Sequence, residues 1–256
     1  MISSFQSGSR PLALITGASR RISIGAAVAA RLAQDGWDVA TTFWLPYDKA
    51  MPWGSDPADI GWLQEQLVAR GARTASFEAD MSCLDTPARV FDRVEEAMGP
   101  VTALVLCHCH SVDSDIVGTT SESFDLHFAV NARASWLLVR EFGRRFRGAR
   151  GRGRIIALTS DGVVGNLPYG ASKGALDRIV LAASREFSHL GIVANVINPG
   201  ATNTGWMSAD QIAEFGRMNP GGRVSVPDDC ANLVRFLCSA DGGRINGQLL
   251  HSNGGI

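Results

Sequence analysis

The fold is decided by residues 12–25, which read LALITGASRRISIG. The apolar run Leu12–Ile15 enters a turn that contains glycine, and small residues then predict a helix over Gly25–Gln34. Glycine allows a tight turn, and the N-terminus of the following helix offers free N–H groups and a positive dipole end to a phosphate. This stretch therefore indicates an α/β fold that binds a dinucleotide, although a plain strand-to-helix turn looks similar and the G-x-G-x-x-G form is absent.

Short apolar runs alternate with longer amphipathic segments along the rest of the chain, which is typical of βαβ units in a parallel sheet. We predict one domain over residues 1–256, with a single doubly wound, Rossmann-type parallel sheet, helices on both faces and a flexible segment at residues 1–10. The further strands are predicted at Val39–Phe43, Ala75–Glu78, Ala103–Cys107, Arg154–Thr159, Val193–Ile197 and Gly247–His251. The further helices are predicted at Leu63–Arg70, Ala88–Ala97, Phe124–Phe146, Tyr169–Ser188 and Asp229–Cys238.

Composition excludes several classes of protein. The chain of 256 residues is 45% hydrophobic and 19% charged, with a formal net charge of −1, as in ordinary globular proteins and unlike nucleic-acid or membrane-surface binders. No apolar run reaches the roughly 20 residues that a membrane span needs. The N-terminal residues lack the apolar core of a signal peptide, and the five cysteines are an odd number. We therefore expect a cytoplasmic enzyme or binding domain with no nucleic-acid or membrane partner.

The chain has two tyrosines and two lysines, and one of each forms the pair Tyr169 and Lys173 at the start of a predicted helix. Residues four apart share one helix face, so the phenol and the ammonium can act on the same spot. A neighbouring cation lowers the pKa of a phenol from its usual value of about 10, which makes it a usable proton donor to a carbonyl. The alternative is a surface pair without a role.

Two further polar residues stand at informative places. Ser160 follows the fifth predicted strand, at the edge of the sheet where open α/β folds bind ligands, and its hydroxyl can bond a substrate carbonyl. A serine after a strand is more often a turn residue. Asn131 lies inside the predicted helix Phe124–Phe146, where an amide is mildly unfavourable unless it caps, bonds or catalyses. An exposed helix residue is the alternative for Asn131.

The end of the second strand bears on the choice of cofactor. An acid at this place binds the ribose 2′-hydroxyl of NAD, but Asp38 stands at the start of the strand and Phe43 at its end. Arg20 and Arg21 place positive charge beside the turn, which suits a 2′-phosphate unless both are solvated loop residues. The pattern favours NADP(H) over NAD(H).

The turn, Asn131, Ser160 and the Tyr169-x-x-x-Lys173 pair, in this order, resemble the short-chain dehydrogenases/reductases, and especially their β-ketoacyl-carrier-protein reductase branch. The resemblance covers nearly the whole chain. It implies an NAD(P)-dependent oxidoreductase in which Tyr169 transfers the proton and Lys173 lowers its pKa and holds the ribose. Ser160 then polarises the carbonyl, and Asn131 positions a water that leads to Lys173. The cofactor-binding residues that it implies are Gly17, Ser19, Arg20, Arg21, Ile24, Asp80, Met81, Cys107, His108, Tyr169, Lys173, Pro199, Gly200, Thr202 and Thr204.

Three segments depart from the pattern of that family. Residues 21–23, Arg-Ile-Ser, stand in place of one glycine and lengthen the turn by two residues. Residues 106–109, Leu-Cys-His-Cys, replace the usual Asn-Asn-Ala-Gly, whose small side chains let the cofactor approach. The loop 160–169 is a few residues shorter than usual. Zinc is not indicated at residues 107–110, because strand alternation sends the two cysteines and the two histidines to opposite faces.

Several alternatives stay open. The substrate is a small carbonyl or alcohol compound, with a 3-oxoacyl thioester (also as an acyl-carrier thioester) or another ketone favoured. The rivals are a dinucleotide-binding sensor or scaffold without turnover and an NAD-dependent sugar or steroid alcohol dehydrogenase. Segment 43–62 is either a packed surface loop or a flap over the adenosine end. Segment 205–218 is a substrate lid in which Trp206 and Met207 either form an apolar wall or pack on the lid's own core.

The resemblance also implies a homotetramer, or at least a dimer, in which the two long predicted helices pack against their symmetry mates. These helices have more apolar positions than one face on the sheet requires, which is typical of an interface, although burial by the sheet and lid is the alternative. The positions are Leu137, Leu138, Leu176, Ile179, Val180 and Ala183.

Overall fold

The structure, a computed structural model, describes residues 10–162 and 164–255. Within these ranges seven parallel strands form one sheet in the order β3-β2-β1-β4-β5-β6-β7. The order reverses between β1 and β4, which defines the doubly wound fold that the sequence predicts. The strands are β1 Leu12–Thr16, β2 Asp38–Phe43, β3 Thr74–Glu78, β4 Ala103–Leu106, β5 Arg154–Leu158, β6 Val193–Asn198 and β7 Leu249–His251.

Helices cover both faces of the sheet, as predicted. Side chains from α1, α3 and α9 form one apolar core, and side chains from α4, α6 and α7 form the other. No helix in the described ranges is both long and apolar enough to cross a membrane. The helices are α1 Ile24–Gln34, α2 Leu45–Ala50, α3 Ala58–Ala69, α4 Thr86–Met98, α5 Ser121–His127, α6 Ala134–Arg145, α7 Leu167–Glu186, α8 Ala209–Met218 and α9 Pro227–Cys238, with a π-helical turn at Phe128–Arg133 and 3₁₀ turns at Ser188–Leu190 and Asp241–Arg244.

The alternation of side chains along β1 explains why its sequence is continuously apolar. Leu12 and Leu14 belong to the core under α4, α6 and α7, whereas Ala13 and Ile15 belong to the core under α1, α3 and α9. A strand that is covered on both faces needs apolar residues at every position. The segment 1–10, expected to be flexible, lies outside the described residues except for Arg10, whose guanidinium donates to the carbonyls of Ala33 and Trp37.

Several predicted boundaries were wrong for local reasons. The predicted helix Phe124–Phe146 is divided into α5, the π-helical turn and α6, and the short helices α2 and α8 were not predicted. The strand predicted to end at Cys107 ends at Leu106, because the Cys107 N–H donates to the Thr16 hydroxyl instead of continuing the ladder. The last strand begins at Leu249 because Gly247 has a φ of +69°.

The apolar positions that were expected to form an interface on the two long helices mostly belong to the hydrophobic core. Five of the six residues are buried within the chain, and Ile179 is partly buried against the same core. Their number therefore reflects packing on the sheet and carries no information about a partner subunit. The buried five are Leu137, Leu138, Leu176, Val180 and Ala183.

The ends of β1 and β4 meet at Gly17 and His108. Gly17 has a φ of +75°, and a Cβ there would lie 2.5 Å from the Cα of His108. The buried imidazole of His108 bonds Thr16 Oγ1 through Nδ1 at 2.6 Å and the Val130 carbonyl through Nε2 at 3.1 Å. Because a carbonyl only accepts, Nε2 carries the proton and the Thr16 hydroxyl donates to Nδ1. Burial, assisted by the charge of Lys173, lowers the pKa of His108 to about 3.

We expect His108 to make the fold sensitive to acid. Its folded pKa of about 3 is below the unfolded value, so the unfolded chain takes up the proton first as the pH falls. The stability from the neutral ring is complete above the unfolded pKa and is lost progressively towards pH 3. Between pH 7 and pH 5 the loss should be about 2 kcal/mol for an unfolded pKa of about 6.5. Urea unfolding at both pH values measures it.

His108→Gln is the matched variant, since its amide can still donate to the Val130 carbonyl but has no proton to gain. Other ionisable groups contribute equally to both proteins, so the pH dependence of the difference isolates His108. An equal loss of stability in wild type and variant would contradict the assignment.

Candidate active site

A cavity of about 700 Å³ opens at the carboxyl ends of β1, β2 and β4. This is the edge at which open α/β sheets bind ligands, next to the reversal of strand order. Of the predicted cofactor-binding residues in the described ranges, nine line the cavity: Gly17, Ser19, Arg20, Ile24, Asp80, Met81, Cys107, His108 and Thr204. The structure therefore brings together the turn after β1, the segments after β3 and β4, and the segment after β6.

The two extra residues of the turn are accounted for by contacts made by residues 21–23. Arg21 pairs with Asp59 of α3 and stacks on Trp62, with its guanidinium carbon 5.3 Å from the ring centroid. Ile22 packs against Gly205, and the Ser23 hydroxyl caps α1 by accepting from the Ala26 N–H at 3.1 Å. Of the two arginines, only Arg20 lines the cavity, so the turn does not present the pair of charges that the sequence suggests.

Arg20 reaches across the cavity. Its Nε pairs with Asp48 at 3.2 Å, one terminal nitrogen donates to the Thr204 carbonyl at 2.8 Å, and the guanidinium lies over the Trp53 ring at 4.6 Å. Within the segment after β6, Gly200 has a φ of +63°, and a Cβ there would collide with the Asn253 side chain. Arg20 thus joins the turn to the segment that follows β6.

Tyr169, Ser160 and Lys173 meet beside this cavity. Lys173 is buried, donates from Nζ to the Leu158 carbonyl at 2.8 Å and lies 5.6 Å from the centroid of the Tyr169 ring. The Ser160 hydroxyl accepts from the Gly162 N–H at 3.1 Å, and the Ser160 side chain is close enough to Tyr169 to lower the pKa of the phenol. None of the three is among the cavity-lining residues of the described chain, but Leu158, whose carbonyl accepts from Lys173, does line the cavity.

The pKa of Tyr169 in the structure differs from the expectation that Lys173 lowers it. In the polypeptide, burial raises the pKa of Tyr169, Cys109 and Tyr47 raise it further, and only the bond with Ser160 lowers it. Burial also lowers the pKa of Lys173, against the opposing influence of Cys109 and Cys107. Burial dominates because both groups lie in a low-dielectric environment that penalises their charged forms.

Asn131 is fully buried, so it is not the exposed helix residue that was the alternative. Its Oδ1 accepts from the His110 N–H at 2.7 Å, and its Nδ2 donates to the His110 carbonyl at 2.8 Å and to Ser172 Oγ at 2.9 Å. The Ser172 hydroxyl donates in turn to the Tyr169 carbonyl at 2.7 Å. Asn131 lies in the π-helical turn, a distortion that is frequent at functional sites. It fixes the first turn of α7 against the loop after β4.

Sequence reasoning did not identify the side chains that segment 44–54, here called the flap, directs into the site. Trp44, Tyr47, Asp48 and Met51 of the flap line the cavity. The Tyr47 hydroxyl donates to the Ser111 carbonyl at 3.2 Å, and its ring centroid lies 5.4 Å from that of His110. The richness in tryptophan marked the segment as unusual, but a six-residue helix has too little periodicity to show which side chains face inward.

The segment after β6 contributes Thr204 to the cavity, whereas Trp206 and Met207 are not among the lining residues of the described chain. Met207 is buried, whereas Trp206 is about half exposed and donates from its indole N–H to the Thr202 carbonyl at 3.1 Å. Helix α8 follows, capped by the reciprocal bonds of Ser208 and Gln211. Pro199, Gly200 and Thr202, which precede Thr204 in the chain, are not among the cavity-lining residues of the described chain.

His110 faces the cavity from the loop after β4. Burial and the neighbouring His127 lower the pKa of His110 to about 4, so its ring is neutral near pH 7. The ring centroids of these two histidines are 4.5 Å apart. The loop after β4 therefore offers a neutral surface to the cavity where the family pattern has small residues.

Comparisons with known proteins agree with this architecture. A family model described as "Enoyl-(Acyl carrier protein) reductase" matches residues 17–256. An oxidoreductase of Bacillus subtilis, YjdA, described as uncharacterized, is 36% identical over 251 residues that cover 96% of each chain. A (3R)-3-hydroxyacyl-CoA dehydrogenase of Canis lupus familiaris is 30% identical over 96% of this chain and 95% of its own. A crystal structure of a short chain dehydrogenase from Burkholderia cenocepacia in complex with NADP has a TM-score of 0.83 and 30% identity, and the match covers 96% of both chains.

These matches extend over almost the whole sheet and its helices, including the glycine turn and the helix that carries Tyr169 and Lys173. A chain with this fold and relatives of at least 30% identity over nearly their full lengths is a member of the short-chain dehydrogenase/reductase family and an NAD(P)-dependent oxidoreductase.

Proposed function

We propose that the protein interconverts a small ketone or aldehyde and the corresponding alcohol with NADP(H), using Tyr169 as the proton donor in reduction and the acceptor in oxidation. The observation that carries this proposal is the proximity of Lys173 and Ser160 to Tyr169, next to Leu158 of the cavity lining. The nicotinamide cofactor supplies the hydride when it is bound. The protein supplies the geometry and the electrostatics of the reaction.

The residues have separate roles in this proposal. The Ser160 hydroxyl holds the carbonyl oxygen, and the protonated phenol of Tyr169, whose pKa burial raises, donates to the same oxygen. The Lys173 ammonium, fixed by the Leu158 carbonyl, stabilises the phenolate that remains. Asn131 orients the first turn of α7 through Ser172 and positions a water that leads to Lys173.

The cofactor preference rests on the cavity wall. The turn Gly17–Gly25 ends at the N-terminus of α1, whose free N–H groups and positive dipole end suit a pyrophosphate. Glycine is required at both positions because a Cβ would collide with neighbouring backbone atoms. At the adenosine end, Phe43 closes β2 without a carboxylate, and Arg20 lines the cavity. Arginine suits a phosphate because its planar fork donates two bonds at once. We therefore propose NADP(H) in preference to NAD(H).

A 3-oxoacyl thioester, free or on an acyl carrier, is the substrate class that we place first among ketones. The support is the relative named a (3R)-3-hydroxyacyl-CoA dehydrogenase, which is 30% identical. The rate of NADPH consumption with 3-oxoacyl thioesters, quinones, sugars and steroids separates this class from the others. Faster NAD-linked oxidation of a sugar or steroid alcohol would favour the second enzymatic alternative, and turnover with none of them would favour a sensor or scaffold.

We also propose a homo-oligomer, tetramer or dimer, in the cytoplasm. The exposed aromatic rings of α5 and α6, Phe124 and Trp136, support an interface, because Trp136 is 48% exposed in the single chain. Sedimentation equilibrium at micromolar concentration tests this, and a 27.3 kDa monomer would contradict it. All five cysteines are free thiols, which fits a reducing compartment.

Tyr169→Phe should abolish nearly all turnover while the fold and cofactor binding persist. The phenyl ring packs as before, but the proton donor is gone, and general acid catalysis is worth about 10²–10⁴-fold. The measurements are the steady-state rate with any accepted substrate and the dissociation constant of NADPH. Wild-type activity in this variant would refute the role of Tyr169.

Arg20→Ala should weaken NADPH binding about tenfold more than NADH binding, since a charge-assisted bond to the 2′-phosphate is lost. Arg21→Ala is the matched control, because its guanidinium pairs with Asp59 outside the cavity. Fluorescence titration of both cofactors gives the constants. Equal weakening of NADPH and NADH in Arg20→Ala would show that Arg20 does not recognise the 2′-phosphate.

A further inference from the structure

Asp48 is a buried carboxylate in the cofactor cavity that the roles proposed above do not use. It lies in α2, within the flap, and is 4% exposed. Its Oδ2 accepts from the Ser19 hydroxyl, and its Oδ1 accepts from the Trp53 indole N–H at 2.9 Å and pairs with Arg20 Nε at 3.2 Å. The carboxylate is thus surrounded by three donors, two of which come from the glycine turn.

In the proposed function, these two residues are the ones that bind the 2′-phosphate. A serine hydroxyl has a single proton, and in Ser19 this proton is directed at Asp48. Arg20 gives Nε to the same carboxylate and a terminal nitrogen to the Thr204 carbonyl. The chain therefore already supplies an anion to the groups that would otherwise be open to an anionic ligand.

Asp48 does not occupy the position of the acid that binds ribose hydroxyls in dinucleotide folds. That acid ends the second strand, where this chain has Phe43. Asp48 stands five residues further, on a segment that is attached to the rest of the site by two groups of contacts. One group is its own bonds to Ser19 and Arg20, and the other is the Tyr47 hydroxyl bond to the Ser111 carbonyl.

We propose that Asp48 is an internal anion that competes with the 2′-phosphate of NADP(H) for Ser19 and Arg20, and so determines how strongly the protein prefers NADP(H). The inference rests on the proposed use of a nicotinamide cofactor. NAD(H), which has a hydroxyl at this place, binds with the contacts of Asp48 intact. NADP(H) binds only when its phosphate displaces the carboxylate from Arg20 or shares the guanidinium with it.

The competing explanation is that Asp48 orients Arg20 towards the phosphate. Two features argue against orientation. The Ser19 hydroxyl gives its only proton to Asp48, so this hydroxyl cannot donate to the phosphate at the same time. An acid that only oriented Arg20 would not need the bond from Ser19. A phosphate within reach of Arg20 also lies near a buried carboxylate, and two anions in a low-dielectric site repel each other.

The test is to measure the dissociation constants of NADPH and NADH, by nicotinamide fluorescence, for wild type and Asp48→Asn. The amide has the shape of the carboxylate but no charge. Loss of the charge should tighten NADPH binding about tenfold, corresponding to about 1.4 kcal/mol, and change NADH binding less than about twofold. Weaker NADPH binding would establish orientation of Arg20 and overturn the proposal, as would equal changes for both cofactors.

Asp59→Asn is the matched control, because Asp59 pairs with Arg21 of the same turn outside the cavity and its loss should leave both constants unchanged. Circular dichroism establishes that each variant is folded, and Asp48→Ser replaces Asp48→Asn if the latter does not fold. A wild-type protein that binds neither cofactor would contradict the proposed function itself, whereas unchanged relative affinities in a folded neutral variant contradict only the role of Asp48.

Discussion

The site depends on the close approach of Gly17 to the backbone of His108. With no Cβ at Gly17, the end of β1 can turn directly against the end of β4, and a side chain there would collide with the main chain of His108. This approach places the N-terminus of α1 beside the crevice formed where the strand order reverses. Thr16 and His108 hold the two ends together from below by their buried hydrogen bond. The same bond draws the imidazole into the protein, which explains how a histidine replaces a small residue without filling the cavity.

A second buried polar group joins the loop after β4 to the start of α7. Asn131 exchanges two hydrogen bonds with the main chain of His110 and donates a third to Ser172, one residue before Lys173. A buried amide that satisfies three partners fixes the distance between the loop after β4 and the start of α7. The extra backbone of the π-helical turn places this side chain on the inner face of a helix that otherwise continues into α6.

The sequence predicted the parts of this protein that depend on local pattern. Continuous apolar runs predicted all seven strands and the turn after Leu12–Ile15, and the Tyr169–Lys173 spacing predicted a pair on one helix face. It did not predict contacts between distant segments. Arg20 and Arg21 are adjacent in sequence, yet one faces the cavity and the other pairs with Asp59, because α3 supplies a carboxylate to only one of them. The pKa of Tyr169 was likewise misjudged, since spacing reveals the neighbouring cation but not the depth of burial.

The lengthened turn after β1 connects segments of the cavity lining that are distant in the sequence, and the sequence pattern does not reveal this connection. Arg20 touches the flap through Asp48 and the segment after β6 through Thr204, while Ile22 packs on Gly205 of that same segment. The flap in turn reaches the loop after β4 through Tyr47. The flap and the segment after β6 are therefore both joined to the turn through Arg20 and Ile22, and the loop after β4 is joined to the flap through Tyr47. Because a buried ion pair cannot lose one partner without leaving an uncompensated charge, any ligand that separates Arg20 from Asp48 must supply an anion of its own.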